Sequence, residues 1–429
     1  MTNSLSDVIH NCASVARQFA LVLALLLGQQ ALGQQKAKIE IGRIDTLSSK
    51  MLQEKRELWI YTPPAAAEEG YAPKRYPVLY LLDADWNFQS LSGMVHYMST
   101  IMGSVNAQAL CPEMIIVGIP SSFRTRTRDL TPTQSTKRWD GKLDKTLAGS
   151  GGGEKFMAYI EKEVFPYVEA NFLTQPYRLF VGHSLGGLTV VNTLATKPTL
   201  FNAYVAIEPS LWWDDKLALK RLESALRQNQ IQNRKLFLAV ANGMPAGMDT
   251  AQARRDTASA TLHTRANLEL VDLLRRQPAS AVAWQWKYYP EEGHASVVLS
   301  AEHDALRGFF RHAPLSLPNN VAAAEFNLEA IQRHYASVSE QYGYAVLPPE
   351  ETINWYAWAC KQKQLWAKAE AFFLFNAAHY PQSFNANSGL ATFYEERGNK
   401  RKALHYYSRA LAIYDEPETR QKVAQLRKR

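Results

Sequence analysis

The amino-acid sequence predicts an α/β fold, a mainly parallel sheet with helices on both faces, followed by a small all-α extension. Three observations carry that expectation. From about residue 38 to 313, short β-branched and aromatic runs alternate with longer stretches of helical periodicity. Several of the short runs, such as "VLYLL" and "IIVGI", are apolar at almost every position, as strands buried on both faces must be. After "RHAPLSLPNN" (311–320) the strand signals stop, and the rest reads as helices rich in aromatics.

In chain order, the first segment differs from the rest. "RQFALVLALLLGQQALGQQ" places Arg17 before an apolar stretch from Phe19 to Leu27 and a small-residue site at Ala31-Leu32-Gly33. That stretch is too short to cross a bilayer, which takes about 20 residues. It reads as a secretory signal over 1–33, with an exported mature chain, periplasmic or extracellular, that carries no membrane span. Seven strands follow: "RELWIYTP" (56–63), "YPVLYLLD" (76–83), "EMIIVGIP" (113–120), "YRLFVG" (177–182), "NAYVAIEP" (202–209), "KLFLAVAN" (235–242) and "AWQWKYYP" (283–290). Helical stretches lie between them, notably 153–172 and 257–277. The α/β domain is expected over 34–315 and the helical one over 316–429.

In the tail, Ala357, Ala369 and Phe373 recur 34 residues on as Ala391, Ala403 and Tyr407, with Pro381 closing the first unit. Gly398 and Ala410 complete the second. The pattern resembles tetratricopeptide repeats, one good and one degenerate. So few repeats seldom stand alone, so the tail should dock on the α/β domain or on a protein partner.

The composition, 46% apolar and 21% charged, is that of a globular chain, and its formal charge of +8 is scattered. No basic block interleaves with aromatics, which argues against a nucleic-acid partner. Of the three cysteines, Cys12 leaves with the signal, while Cys111 and Cys360 lie too far apart in sequence to be an obvious disulfide pair. No cysteine–histidine cluster suggests a metal, and no cofactor is expected.

The chemistry concentrates at "RLFVGHSLGGLTVVN" (178–192). Gly182-x-Ser184-x-Gly186 joins a short strand to a helix, the setting of a nucleophile elbow that lifts a serine hydroxyl above the sheet. Small neighbours at 182 and 186 let that strained turn close. The amide of Leu185, at a helix start, is a natural oxyanion donor. A second donor should come from "LLDADWNF", from the amide of Asp85 or Trp86. Serine needs a general base. His183 adjoins it, but successive side chains on a tight turn diverge. His294, in the loop "EEGHASVV" after the last strand, should sit at the carboxyl edge of the sheet, where open α/β sheets place their sites.

On these residues the stretch from about 54 to 311 resembles the "Putative esterase" family of α/β-hydrolases, which includes siderophore (enterobactin-type) esterases and S-formylglutathione hydrolases. The matching segments are "EKRELWIYTPP", "YPVLYLLDAD", "IIVGIPSSFRTRTRDLTP", "GGGEKFMAYIEKEVFPYVE", "GHSLGGL", "PSLWWDD" and "GHASVVLSAEHDALRGFF". The resemblance implies an α/β-hydrolase fold, Ser184 as nucleophile and His294 as base. In many relatives an acid follows the strand matching "KLFLAVAN"; here the available choices are Asp256 and Asp249. Asp256 is slightly preferred, because a carboxylate at a helix start is firmly held, although it could equally cap that helix.

The implied activity is ester hydrolysis through an acyl-enzyme, on a siderophore ester or an acyl-decorated carbohydrate. Arg124, Arg126 and Arg128 could receive an anionic substrate, and Trp212 and Trp213 could stack on an aromatic ring. A solvated basic loop and two core tryptophans would look the same in sequence. Two other functions share these residues: a catalytically inactive binding protein with a recruiting tail, and an acyltransferase in which an alcohol replaces water.

Overall fold

Eight strands form one sheet in a computed structural model that describes residues 38–64, 70–100, 109–278 and 282–428. The expected signal segment over 1–33 lies outside the described residues. The strands are β1 (Arg43–Ser49), β2 (Glu54–Tyr61), β3 (Tyr76–Leu82), β4 (Ile115–Ile119), β5 (Thr174–His183), β6 (Ala203–Ile207), β7 (Lys235–Ala241) and β8 (Ala283–Tyr289), in spatial order β1-β2-β4-β3-β5-β6-β7-β8. β1 and β2 pair antiparallel, as do β2 and β4, and every pairing from β4 to β8 is parallel. β3, β4 and β6 are buried at every residue, in keeping with their apolar sequences. β1 was not among the expected strands. Its sequence, "RIDTLSS", is polar and largely exposed because it is an edge strand with one neighbour.

The helices are α1 (Ala84–Ser99), α2 (153–171, with a π turn over Ile160–Val164), α3 (Leu185–Thr196), α4 (Trp213–Arg227), α5 (Thr250–Arg255), α6 (Leu262–Arg275) and α7 (Val297–Phe310). Those of the tail are α8 (Leu328–Tyr342), α9 (Glu350–Gln362), α10 (Trp366–His379), α11 (Phe384–Glu396), α12 (Lys400–Ile413) and α13 (Pro417–Lys428). Residues of α2, α3, α4 and α6 share one core with one face of the sheet, and residues of α1, α7 and α8 share the other. No described helix is long and apolar enough to cross a membrane. Cys111 and Cys360 are both buried and form no disulfide among the described residues.

The tail is fastened to the α/β body by apolar and polar contacts. Tyr342 on α8 packs edge-on to Phe310 at 5.2 Å between ring centres and tilted against Tyr177 at 5.8 Å. The buried carboxylate of Glu350 accepts the Ala72 amide at 3.0 Å and the Ser383 hydroxyl, and the Gly70 carbonyl accepts the Asn385 amide at 3.0 Å. Within the tail, Ala357, Ala369, Phe373, Ala391, Ala403 and Tyr407, the residues of the 34-residue repeat, all lie in a core of their own. Burial of Tyr342 against the body predicts that Tyr342→Ala lowers the stability of the whole chain by about 3 kcal/mol. Urea unfolding followed by tryptophan fluorescence checks this. One transition at a lower midpoint is expected, and an unchanged midpoint would show that this contact does not hold the tail.

Candidate functional site

Ser184 stands between β5 and α3 with φ 59° and ψ −114°, a conformation that non-glycine residues avoid. Backbone bonds to the next strand hold it there. Its amide donates to the Ile207 carbonyl at 3.0 Å, and its carbonyl accepts the amides of Ser210 at 3.0 Å and Leu188 at 2.9 Å. The crowding around the turn falls at glycines 182 and 187. A Cβ on Gly182 would lie 2.5 Å from the Gly186 carbonyl, and one on Gly187 would lie 2.9 Å from Pro209 Cα. At Gly186 the nearest atom would be an ordinary 3.4 Å away, so the second steric requirement sits one residue later than expected.

The segment that pins Ser184 also carries a carboxylate that the sequence reading missed. Glu208 follows the last residue of β6, has φ 43° and is fully buried. Its amide donates to the Ala239 carbonyl at 3.0 Å, which fixes it against β7. Oε1 accepts the Ala241 amide at 2.7 Å, while Oε2 lies 3.1 Å from His294 Nδ1 and 3.0 Å from His263 Nε2. Burial pushes this carboxyl up, but the hydrogen bonds from His263, His294 and the Ala241 amide outweigh it and hold the group down to about 2. Glu208 is therefore ionised at neutral pH.

The carboxylate bonded to His294 is thus Glu208, and neither Asp256 nor Asp249. Asp249 caps α5, accepting the Gln252 amide at 2.7 Å in a reciprocal capping box. Asp256 accepts the Thr257 amide at 2.8 Å and the Thr261 hydroxyl at 2.6 Å, closing the turn before α6. Both carboxylates are occupied with local turns, the use their positions before helices also allowed.

His294 lies in the loop between β8 and α7. An ionised Glu208 can only accept, so Nδ1 of His294 carries the proton and a neutral ring keeps its lone pair on Nε2. His183 steadies this loop: its Nε2 donates to the His294 carbonyl at 2.7 Å, and the two rings lie 4.6 Å apart. Burial, followed by the neighbouring His294, pushes His183 down to about 4, so it is a neutral donor. The Ser184 hydroxyl has Ser210 Oγ at 3.4 Å as its hydrogen-bond neighbour among the described residues. No hydrogen bond joins the Ser184 hydroxyl to His294 among the described residues; the two segments are linked through His183, which adjoins the serine and bonds the His294 carbonyl. A serine at a helix start and an imidazole oriented by a buried carboxylate are the parts that acyl transfer requires.

The expected oxyanion donors divide. Leu185 opens α3, and no acceptor is recorded for its amide among the described residues. The Trp86 amide donates to the Asp83 carbonyl at 3.1 Å and is engaged, which leaves Asp85 as the available amide in α1. The loop is braced by Arg126, whose guanidinium grips both oxygens of Asp83 at 2.9 and 2.8 Å, and by the Asp85 carboxylate, which accepts the Ser121 amide at 2.8 Å.

The candidate substrate residues also divide. Arg126 is tied to Asp83, and Arg128 is tied to Glu54 at 2.6 Å and Asp129 at 2.7 Å, so both brace the body. Arg124 is exposed and has no ion pair among the described residues. Trp213 is fully buried with its indole N–H on Thr133, and Trp212 is half-buried against the same core, so Trp213 cannot stack on a ligand. The aromatic surface lies elsewhere: Trp86 in the first turn of α1 and Phe123 in the loop after β4, two segments joined by the Asp85–Ser121 bond, are 78% and 95% exposed. Groups that could ligate a metal come together at Glu208, His263 and His294, whose donor atoms lie within 4.8 Å of one another.

The chain is 32% identical over 179 residues to "Ferri-bacillibactin esterase BesA" of Bacillus subtilis (strain 168), covering 40% of this chain and 60% of that one. It is 30% identical over 112 residues to "Siderophore triacetylfusarinine C esterase" of Aspergillus fumigatus, covering 26% of this chain and 35% of that one. In each case the match spans less than two thirds of the relative's length. Among solved structures, an IroE-like serine hydrolase from Shewanella oneidensis superposes with a TM-score of 0.65 at 28% identity, over 79% of this chain and 99% of the other. Residues 49–304, more than half of the chain, match the family model described as "Putative esterase", and the chain belongs to that family.

Proposed function

We propose that this chain is an exported serine esterase that cleaves a carboxylic ester through an acyl-enzyme on Ser184. The observation that carries the reading is the hydrogen bond from His294 Nδ1 to the buried, ionised Glu208, which leaves Nε2 of His294 free to act as base. The base removes the Ser184 proton as Oγ attacks the ester carbonyl. The amides of Leu185 and Asp85 receive the oxyanion, and the protonated His294 returns its proton to the leaving alcohol. Water then repeats the sequence and frees the acid. Glu208 stabilises the imidazolium throughout without taking its proton, the role of the acid in other triads.

A siderophore ester is the substrate class we favour. Exposed Trp86 and Phe123 offer faces to aromatic rings, and Arg124, exposed and without an ion pair among the described residues, offers a charge to an anionic complex. The names of the relatives point the same way. Export rests on the N-terminal sequence pattern, and the tetratricopeptide reading of the tail rests on the 34-residue repeat.

The test is hydrolysis of p-nitrophenyl butyrate and of a catecholate siderophore by the purified chain. Ser184→Ala should cut turnover by about ten-thousandfold or more, and Glu208→Gln by about a thousandfold with little change in KM. Undiminished hydrolysis by Ser184→Ala would refute the nucleophile, and undiminished hydrolysis by Glu208→Gln would refute the acid.

The buried histidine beside the serine ties stability to pH. His183 sits near 4 in the folded chain against 6.5 when unfolded, so between those values the unfolded state binds more protons. Its contribution is complete above 6.5 and is lost as the pH falls toward 4. Stability should therefore drop between pH 7 and pH 5, and His183→Gln should reduce that drop by about 2 kcal/mol. Urea midpoints at the two pH values measure it, and equal slopes in both proteins would contradict a neutral His183.

A further inference from the structure

Oε2 of Glu208 faces two imidazole nitrogens, and the second of them is in an unresolved conflict. His263 Nε2 lies 3.0 Å from Glu208 Oε2 and also 3.3 Å from Asn267 Nδ2. If Nε2 carries a proton it can bond the carboxylate but opposes the amide donor; without a proton it accepts from the amide but opposes the carboxylate. No tautomer satisfies both neighbours. Asn267 is fully buried, and its own Oδ1 has no hydrogen-bond partner among the described residues. Turning the amide about its last torsion exchanges its two ends and brings that orphaned oxygen toward His263 Nε2.

We propose that Glu208 Oε2, His263 Nε2, His294 Nδ1 and Asn267 Oδ1 form a binding site for a divalent transition-metal cation, Zn2+ foremost, and that its occupancy switches the esterase site off. Two imidazoles, a carboxylate and a neutral oxygen suit zinc. Oε2 lies 3.0 and 3.1 Å from the two nitrogens and the three donor atoms all lie within 4.8 Å of one another, so one cation with bonds of about 2.0–2.1 Å can draw them together. The His263 and His294 rings stand at 88° to each other with centres 4.9 Å apart, and their two nitrogens meet at the same carboxylate oxygen. Glu208 is sealed from solvent, whereas the His294 side chain is 44% exposed, so the cation enters from the His294 side.

The proton balance accounts for the switch. A neutral His294 ligated through Nδ1 must carry its proton on Nε2, where the esterase mechanism needs a lone pair. His263, ligated through Nε2, moves its proton to Nδ1. Neither ring has to change charge, and the base is converted into a donor. The effect on turnover rests on the esterase reading, and the binding itself does not.

Binding is measured on the full chain by calorimetry with Zn2+ and by the visible absorption of Co2+, neither of which requires turnover. One equivalent of each cation is expected, with the intense visible bands of tetrahedral Co2+. His263→Gln and Asn267→Leu should each weaken binding at least tenfold. The second variant guards against a folding defect in the first, and the wild-type stoichiometry stands without either. Zn2+ should suppress p-nitrophenyl butyrate hydrolysis with the same midpoint as binding, and a chelator should restore it. No stoichiometric binding by the wild type, or equal affinity in both folded variants, would overturn the site. Full turnover at saturating Zn2+ would overturn the switch, and binding by a chain that hydrolyses no ester would support the site while refuting the esterase reading.

Discussion

A serine at φ 59° and ψ −114° occupies backbone space that costs about 1–3 kcal/mol, and the centre of this molecule is built to keep it there. The bonds from Ser184 to Ile207 and Ser210 are made by the same segment that bears Glu208. Holding the serine in its strained turn therefore also fixes the carboxylate, because β5 and β6 are adjacent parallel strands with a common register. Gly182 and Gly187 matter for the same reason: the elbow backbone passes against Gly186 on one side and Pro209 on the other, with no room for a Cβ at either position.

The second dependency is electrostatic. Burying a carboxylate costs several kcal/mol unless donors replace the lost water. Glu208 has three, from the Ala241 backbone and two imidazoles, and they are sufficient to keep it charged. Its charge then selects the His294 tautomer, and His183 holds the same residue by its carbonyl. The parts arrive from the ends of β5, β6 and β8, with His263 from α6. Parallel strands are what bring such distant segments to one edge. The tail enters this arrangement indirectly, through Tyr177 and Phe310, which lie on β5 and α7, the elements that flank Ser184 and His294.

Much of this was legible in the sequence where the signal is local. The elbow announces itself by glycines, a strand before and a helix after, and the seven expected strands recur within a few residues of their places. The edge strand β1 was missed because one-sided pairing leaves its sequence polar. Glu208 was missed for a different reason. Its sequence signal, an acid directly after the wholly buried run "AYVAI" and before a proline, was present, but periodicity does not say which strand end faces a histidine 86 residues later. Asp256 and Asp249 have the look of held carboxylates because they are held, by turns of their own. Likewise an arginine-rich loop reads the same whether its charges meet solvent, a ligand or Asp83 and Glu54.

Covalent labelling addresses the role of Ser184 most directly. Treatment of the purified chain with a fluorophosphonate, followed by intact-mass measurement and peptide mapping, should give a single adduct on the peptide that carries Ser184, formed far more slowly in His294→Ala. No adduct, or an adduct on Ser210 or any other serine, would contradict a nucleophile at Ser184.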